Sequence, residues 1–280
     1  MTWRPEVFLQ EPRKFPQKFF PPAQVQYVLK GCGSPVAVLF GRSEAGDAAA
    51  GNPEAHWKAL GHDLFREPLV APLQVHDVAV VPGRRIWALP QRPRADGVEL
   101  DGEGIWGSLR FADCWPVVLA GPSPQPWVMV LHAGYRGAVA CVLERNLRRI
   151  LERWGPQSLN GLCVWIGPGI GPCCYTRASE DPLVQRGRAL FPEAFAPATA
   201  GLVTVDIGHM LRRQCRAMGV PREAVCSAPW CTSCVEGLFY SYRRGDREAR
   251  NFLVTAGPQK ELFGDNLCRK RSKSRSEDGA

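Results

Sequence analysis

The chain has 280 residues, 45% hydrophobic and 22% charged, the profile of a globular protein with one large core or two small ones. No run of about 18 apolar residues occurs and the N-terminal stretch lacks a signal peptide's apolar core, so no membrane span is expected and the location reads as cytoplasmic. Eleven cysteines, an odd number, favour reduced thiols, core packing or metal ligation over a secreted disulfide framework.

Residues 1–22 are rich in Pro and charge and read as a loose arm. Val25–Leu29 and Val36–Phe40 read as strands around Gly31-Cys32-Gly33. A small, polar loop runs from Gly41 to about Asn52, and Ala55–Leu64 reads as a short helix. Val70–Val75 is apolar and ends at His76; Val78–Val81 continues as a strand before a Pro82-Gly83 turn. Pro90 to about Gly97 is a Pro/Arg loop.

Three later segments share one design. Ser108–Phe111 leads into Ala112-Asp113-Cys114-Trp115-Pro116 and then Val117–Ala120. Trp127–Leu131 delivers His132 to the turn Ala133-Gly134-Tyr135-Arg136-Gly137. Leu162–Ile166 leads into a Gly/Pro loop ending in Cys173-Cys174-Tyr175. Each is an apolar strand that ends in a turn carrying a reactive side chain, a common place for function. The helix after His132 has Val139, Val142, Leu143, Leu147, Ile150, Leu151 and Trp154 on one face, with Arg145, Arg148, Arg149 and Arg153 largely on the other. Further helices are expected at Pro182–Phe191 and about Ile207–Met218, and a last strand at Ala249–Ala256. Of the +8 net charge, three units sit in residues 267–280. That stretch reads as a disordered solubilising tail rather than a nucleic-acid-binding arm.

His76, Cys114 and His132 together offer N, S and N donors, which suits zinc with an open fourth position. Each alone also reads as a structural residue, and the wide sequence gaps are not a compact zinc spacing. Arg136, at a helix start, is a candidate anion holder or a surface arginine packed on Tyr135. Asp113 can orient a ligand, act as a base or be a buried structural carboxylate. Cys231-Thr232-Ser233-Cys234 is a CxxC without a second CxxC, which argues against a zinc ribbon. Arg243 and Arg244 follow Phe239-Tyr240-Ser241-Tyr242 and can grip phosphate or form a solvated edge.

Several blocks carry a resemblance: Gln74-Val75-His76, Ala112-Asp113-Cys114-x-Pro116-Val117, His132-Ala133-Gly134-Tyr135-Arg136-Gly137, Ile166-Gly167-Pro168-x-Ile170-Gly171-Pro172-Cys173-Cys174-Tyr175, and Cys231-Thr232 with Phe239-Tyr240-Ser241-Tyr242-Arg243-Arg244. In their order, over about Val36 to Ala256, the chain resembles the YfiH/YlmD-type proteins. These are called multicopper polyphenol oxidoreductases or laccase-domain proteins and, more recently, purine nucleoside phosphorylases. The chain departs from them at Tyr135 (usually Trp), Trp115 (usually Leu) and Asp77 (usually Gly or Ser), and Gly245-Asp246-Arg247-Glu248-Ala249-Arg250 is a reduced closing block.

The resemblance implies an α+β fold of mixed β-sheet layers flanked by helices, YfiH-like. It places one catalytic domain at 23–257 between the arm and a basic tail at 258–280, as a monomer or weak homo-oligomer. It implies zinc on His76, Cys114 and His132, with copper as the alternative. The implied activity is phosphorolysis of adenosine, inosine, guanosine and methylthioadenosine, with adenosine deamination as a second reaction. His132, Cys114 and Asp113 are then the catalytic candidates, and Arg136, Cys173 and Arg243 the substrate or phosphate binders. Rival readings are a copper-dependent phenol oxidase, for which five histidines in the chain are few, a peptidoglycan-precursor editing factor, and a cysteine hydrolase.

Overall fold

The structure, a computed structural model, describes residues 6–7, 25–31, 34–42, 69–83, 92–102 and 104–258. Strands β1 (Glu6–Val7), β2 (Val25–Gly31), β3 (Ser34–Phe40), β4 (Leu69–Val70), β5 (Val81–Pro82), β6 (Gly97–Leu100), β7 (Trp106–Phe111), β8 (Trp115–Gly121) and β9 (Trp127–Ala133) come first. Helices α1 (Tyr135–Val139) and α2 (Val142–Trp154) follow. Then come β10 (Cys163–Ile166), β11 (Thr176–Ala178), α3 (Pro182–Leu190), β12 (Phe195–Pro197), β13 (Leu202–Val205), α4 (Ile207–Ala217), β14 (Val225–Ser227) and β15 (Asn251–Ala256). One sheet has the order β1-β2-β3-β15-β7-β4, a second β14-β10-β8-β9-β6-β5, and a small third β11-β13-β12. Neighbours are antiparallel except β4–β7, β5–β6 and β10–β14.

The second sheet is the middle layer. Successive side chains on a strand point to opposite faces. Val117 and Leu119 of β8 and Trp127, Met129 and Leu131 of β9 therefore face the helices, against Leu143, Leu147, Met210 and Leu211. Val118, Ala120, Val128 and Val130 face the first sheet, against Leu109, Phe111 and Leu253. Burial on both faces is why β8 and β9 read as unbroken apolar runs and not as alternating ones. The expected α+β architecture of mixed sheets with flanking helices is the one found.

Several expected elements are corrected. The helix after His132 is two helices: Cys141 takes a left-handed conformation, φ 60°, between α1 and α2. The apolar stretch Val70–Val75 is a strand only at Leu69–Val70, because Pro72 removes a ladder donor and the following residues wrap a buried carboxylate instead. Val78–Val81 narrows to a two-residue strand that takes in Pro82. The Pro/Arg loop ends in an unexpected strand, β6, whose buried Glu99 is neutralised by Arg149 at 2.6 Å and Arg153 at 2.7 Å from α2. The helix expected at Ala55–Leu64, the arm apart from β1, and the tail beyond Pro258 lie outside the described residues. No helix among the described residues is long and apolar enough to cross a membrane.

Candidate active site

The three strand-end residues converge. One ligand atom each from His76, Cys114 and His132 lies within 4.8 Å of the other two, and the two imidazoles meet edge-on with centroids 4.9 Å apart. β8 and β9 pair along their whole length with Pro116 opposite His132, which puts Cys114 beside His132 at one end of the middle sheet. His76 arrives from the loop after β4 with φ 61°. That conformation costs a residue with a side chain roughly 1 kcal/mol and is held by what the loop encloses.

The loop encloses Asp96, which has no solvent exposure. One oxygen accepts from the His76 amide at 2.9 Å and from His132 Nδ1 at 2.8 Å; the other accepts from the amides of Val75 (3.0 Å) and Asp77 (2.8 Å). Burial opposes ionisation of Asp96, but these donors outweigh it and hold the carboxyl below its usual range. An ionised carboxylate only accepts, so His132 keeps a proton on Nδ1. Burial opposes its charge, but Cys114 and Asp96 prevail and raise it from 6.5 to about 9. At neutral pH Nε2 therefore also carries a proton, which a metal would displace. At Cys114 burial again opposes charge, yet His132 and His76 prevail and bring the thiol down from 9.0 to about 6. A thiolate and a free imidazole nitrogen are the forms a metal binds. Gly134 completes the cradle: a Cβ there would stand 2.9 Å from both Cys114 Sγ and His76 Cδ2. The donor set therefore fits zinc with an open position toward the cavity.

That cavity, about 710 Å³, is lined by His76, Cys114 and His132 together with six arginines, 92, 110, 136, 177, 243 and 250, and one acidic residue, Asp113. Asp113 is already engaged by neutral donors. Its oxygens accept from Thr232 Oγ1 at 2.8 Å and from the Arg243 amide at 2.7 Å. Arg177 is paired with Asp181. Arg110, Arg136 and Arg243 have no carboxylate partner among the described residues. Burial, then the nearby charges of Arg92 and Arg250, pull Arg110 down to about 10, so it remains charged at neutral pH amid like charges. Tyr135, Tyr175 and Tyr242 also line the cavity. Tyr135 and Tyr175 meet edge-on at 6.0 Å, and the Arg243 guanidinium lies over Tyr175 at 5.0 Å. The buried Tyr135 hydroxyl has no hydrogen-bond partner among the described residues.

Of the residues singled out from the sequence, His76, Asp113, Cys114, His132, Arg136 and Arg243 all reach the cavity. Arg136 does so from a five-residue helix, too short for a strong macrodipole, so its own charge is what it offers. Cys173 does not line the cavity; its sulfur faces Cys234 at 3.5 Å. Arg244, the neighbour of Arg243, turns away and holds the carbonyls of Thr232 and Ser233 at 3.0 and 3.1 Å. Asp96, Arg92, Arg110, Tyr175 and Arg177 were not foreseen. Only Tyr175 had a signal, at the end of the Gly/Pro loop.

A family model for "Multi-copper polyphenol oxidoreductase laccase" matches residues 40–254. A relative from Geobacillus stearothermophilus, named purine nucleoside phosphorylase YlmD, is 35% identical over 175 residues, 60% of this chain and 62% of its own. One from Pseudomonas aeruginosa, also named a purine nucleoside phosphorylase, is 35% identical over 181 residues, 63% of this chain and 69% of its own. The crystal structure of YlmD from Geobacillus stearothermophilus aligns with a TM-score of 0.68 at 26% identity, covering 91% of this chain and all of that one. The family match spans His76, Cys114 and His132, and the chain belongs to the laccase-like multi-copper polyphenol oxidoreductase family, that of YfiH and YlmD.

Proposed function

We propose that the chain is a zinc-dependent purine nucleoside phosphorylase acting on adenosine, inosine, guanosine and methylthioadenosine, with adenosine deamination as a second reaction. One observation carries the reading: a His/Cys/His donor set opens into a cavity with six arginines and a single, already bonded carboxylate. Such a cavity selects a small dianion beside a polarising centre. The names of the relatives agree with it.

In phosphorolysis a phosphate oxygen bonds to ribose C1′, the bond from C1′ to the purine nitrogen breaks with its electron pair going to the base, and the base leaves on taking up a proton. Arg110, Arg136 and Arg243 hold the phosphate and keep it from repelling the electron-rich base. Asp113 positions Arg243 through its backbone amide. Tyr135, Tyr175 and Tyr242 offer flat surfaces for the purine. Burial, then the negative charge of Asp181, pushes the Tyr135 phenol above its usual range, so its unpartnered hydroxyl stays protonated as a donor for substrate. His76, Cys114 and His132 hold the metal, which when bound supplies Lewis-acid polarisation in the same space.

Product analysis tests this. Zinc-loaded protein given adenosine and phosphate is expected to yield adenine and ribose 1-phosphate, and some inosine without phosphate. Inosine alone under both conditions would make it a deaminase. No base release, with copper taken up in preference to zinc and a phenol oxidised, would favour the oxidase reading.

A further inference from the structure

The CxxC at 231–234 has a partner after all. It is not a second CxxC but the vicinal pair at 173–174. The sulfurs of Cys173, Cys174, Cys231 and Cys234 lie within 4.8 Å of one another, and Cys234 is 3.5 Å from Cys173 and 3.4 Å from Cys174. From these four sulfurs we infer a second metal site, a tetrathiolate centre for one zinc ion outside the catalytic cavity.

The spacing is that of a mononuclear centre. Four thiolates about 2.3 Å from one tetrahedral ion stand roughly 3.8 Å apart, and the sulfurs here surround that value. A disulfide needs about 2.05 Å, and all four cysteines are free thiols. An iron–sulfur cluster, with several irons between its thiolates, needs a wider opening. The backbone is shaped for the same end. The Gly171 amide donates to Cys231 Sγ at 3.2 Å, and the Cys234 amide closes the turn by donating to the Cys231 carbonyl at 3.1 Å. An amide turned on a sulfur favours thiolate over thiol. Arg244 fixes the turn from behind by holding the Thr232 and Ser233 carbonyls, and the two segments already touch through a parallel bridge from Gly169 to Cys231. Soft thiolates in a tetrahedral set select zinc over the hard divalent ions.

The site ties together two cavity walls. Cys174 precedes Tyr175, Gly171 follows Ile170, and both Ile170 and Tyr175 line the cavity. On the other side Thr232, between the two CxxC cysteines, donates to Asp113, which in turn accepts from the Arg243 amide. A metal here fixes Tyr175 and Arg243 relative to each other and takes no part in the chemistry.

The test isolates this site from the one in the cavity. The full chain carrying His76→Ala and His132→Ala, freed of loosely held metal by a weak chelator, is expected to retain one zinc per chain. X-ray absorption at the zinc edge should show four sulfur neighbours and no nitrogen. Cys231→Ser with Cys234→Ser should lose that zinc and melt at a lower temperature. Zinc-free His76→Ala/His132→Ala protein, a retained zinc with nitrogen neighbours, iron in its place, or a disulfide from Cys234 to Cys173 or Cys174 by mass spectrometry would each overturn the inference. The histidine variant decides even if the cysteine variant does not fold, and it does so whether or not His76 and His132 bind metal.

Discussion

Asp96 collects four donors on one buried carboxylate, three backbone amides and His132 Nδ1. It fixes both the path of the His76 loop and the tautomer of His132. Asp96→Asn keeps one acceptor and turns an amide N–H₂ on groups that themselves donate. Zinc affinity in the cavity is expected to fall about 10- to 100-fold, read by competition with a chelating dye; unchanged affinity would sink this role. The three candidate ligands were legible because each ends an apolar strand or segment. Asp96 was not. It sits in Arg94-Ala95-Asp96-Gly97, which reads as loop, and its partners are amides about 20 positions away, which leave no periodic mark. Asp246 was visible only as part of a reduced closing block. It accepts from the Ser241 amide at 2.8 Å, Arg42 at 2.5 Å and Arg244 at 3.0 Å. Burial opposes its charge, but the Ser241 amide and the Arg42 guanidinium hold its carboxyl below the usual 3.8. A folded-state value below the unfolded one means that its stabilisation is full above about pH 4 and fades as the pH falls through the folded value. Asp246→Asn should therefore cost about 2 kcal/mol at neutral pH, the worth of charged hydrogen bonds in a half-buried site. Urea melts at pH 7 and pH 3 should show the gap between wild type and variant closing in acid.

Between α1 and α2 the chain breaks without Gly or Pro, and the reason lies on another element. Cys141, before α2, gives no side-chain cap. Gln214 of α4, fully buried, takes its place: its carbonyl accepts from the amides of Leu143 (3.0 Å) and Glu144 (3.2 Å), and its amide donates to the Ala138 carbonyl at 2.9 Å. One side chain thus satisfies the last turn of α1 and the first of α2. The break lets α1 stay at the cavity while α2 lies along the middle sheet. Sequence periodicity sees the shared apolar face of the two helices but not a cap supplied 71 positions away from Leu143, so they read as one. The same limit applied to β11, β12 and β13, three or four residues each, too short to show a period. By contrast β7, β8, β9, β10 and β15 were legible from their apolar content. Gln214→Leu is expected to destabilise the protein by about 2–4 kcal/mol, since it leaves buried backbone groups unpaired. Chemical denaturation measures this, and a loss under 1 kcal/mol would mean that water replaces the side chain.

At the scale of the molecule, the cavity exists because the two large sheets end together. Arg110 comes from β7 of the first sheet, Cys114 and His132 lie at the adjoining ends of β8 and β9 in the second, Arg177 from β11 of the third, and Arg243 and Arg250 from the segment that leads into β15. No short stretch of sequence displays that gathering. Arg110 stands on an interior strand, where its neighbours suggest only core, and the composition shows a basic chain without showing where the charge points. With six arginines against the single carboxylate of Asp113, positive charge dominates the cavity, and an anion entering it is attracted by several charges at once. Two consequences separate this field from mere packing. Apparent phosphate affinity should weaken as ionic strength rises, while that for the uncharged nucleoside should not. Arg110→Met keeps the bulk of the side chain and removes its charge. It should raise the phosphate KM about tenfold or more, the loss of one charge-assisted contact worth roughly 1.5–3 kcal/mol. Nucleoside KM and zinc content should stay as in the wild type. A phosphate KM unchanged by Arg110→Met but still sensitive to salt would place the anion against Arg136 and Arg243 instead, and one insensitive to salt as well would overturn the arginine site.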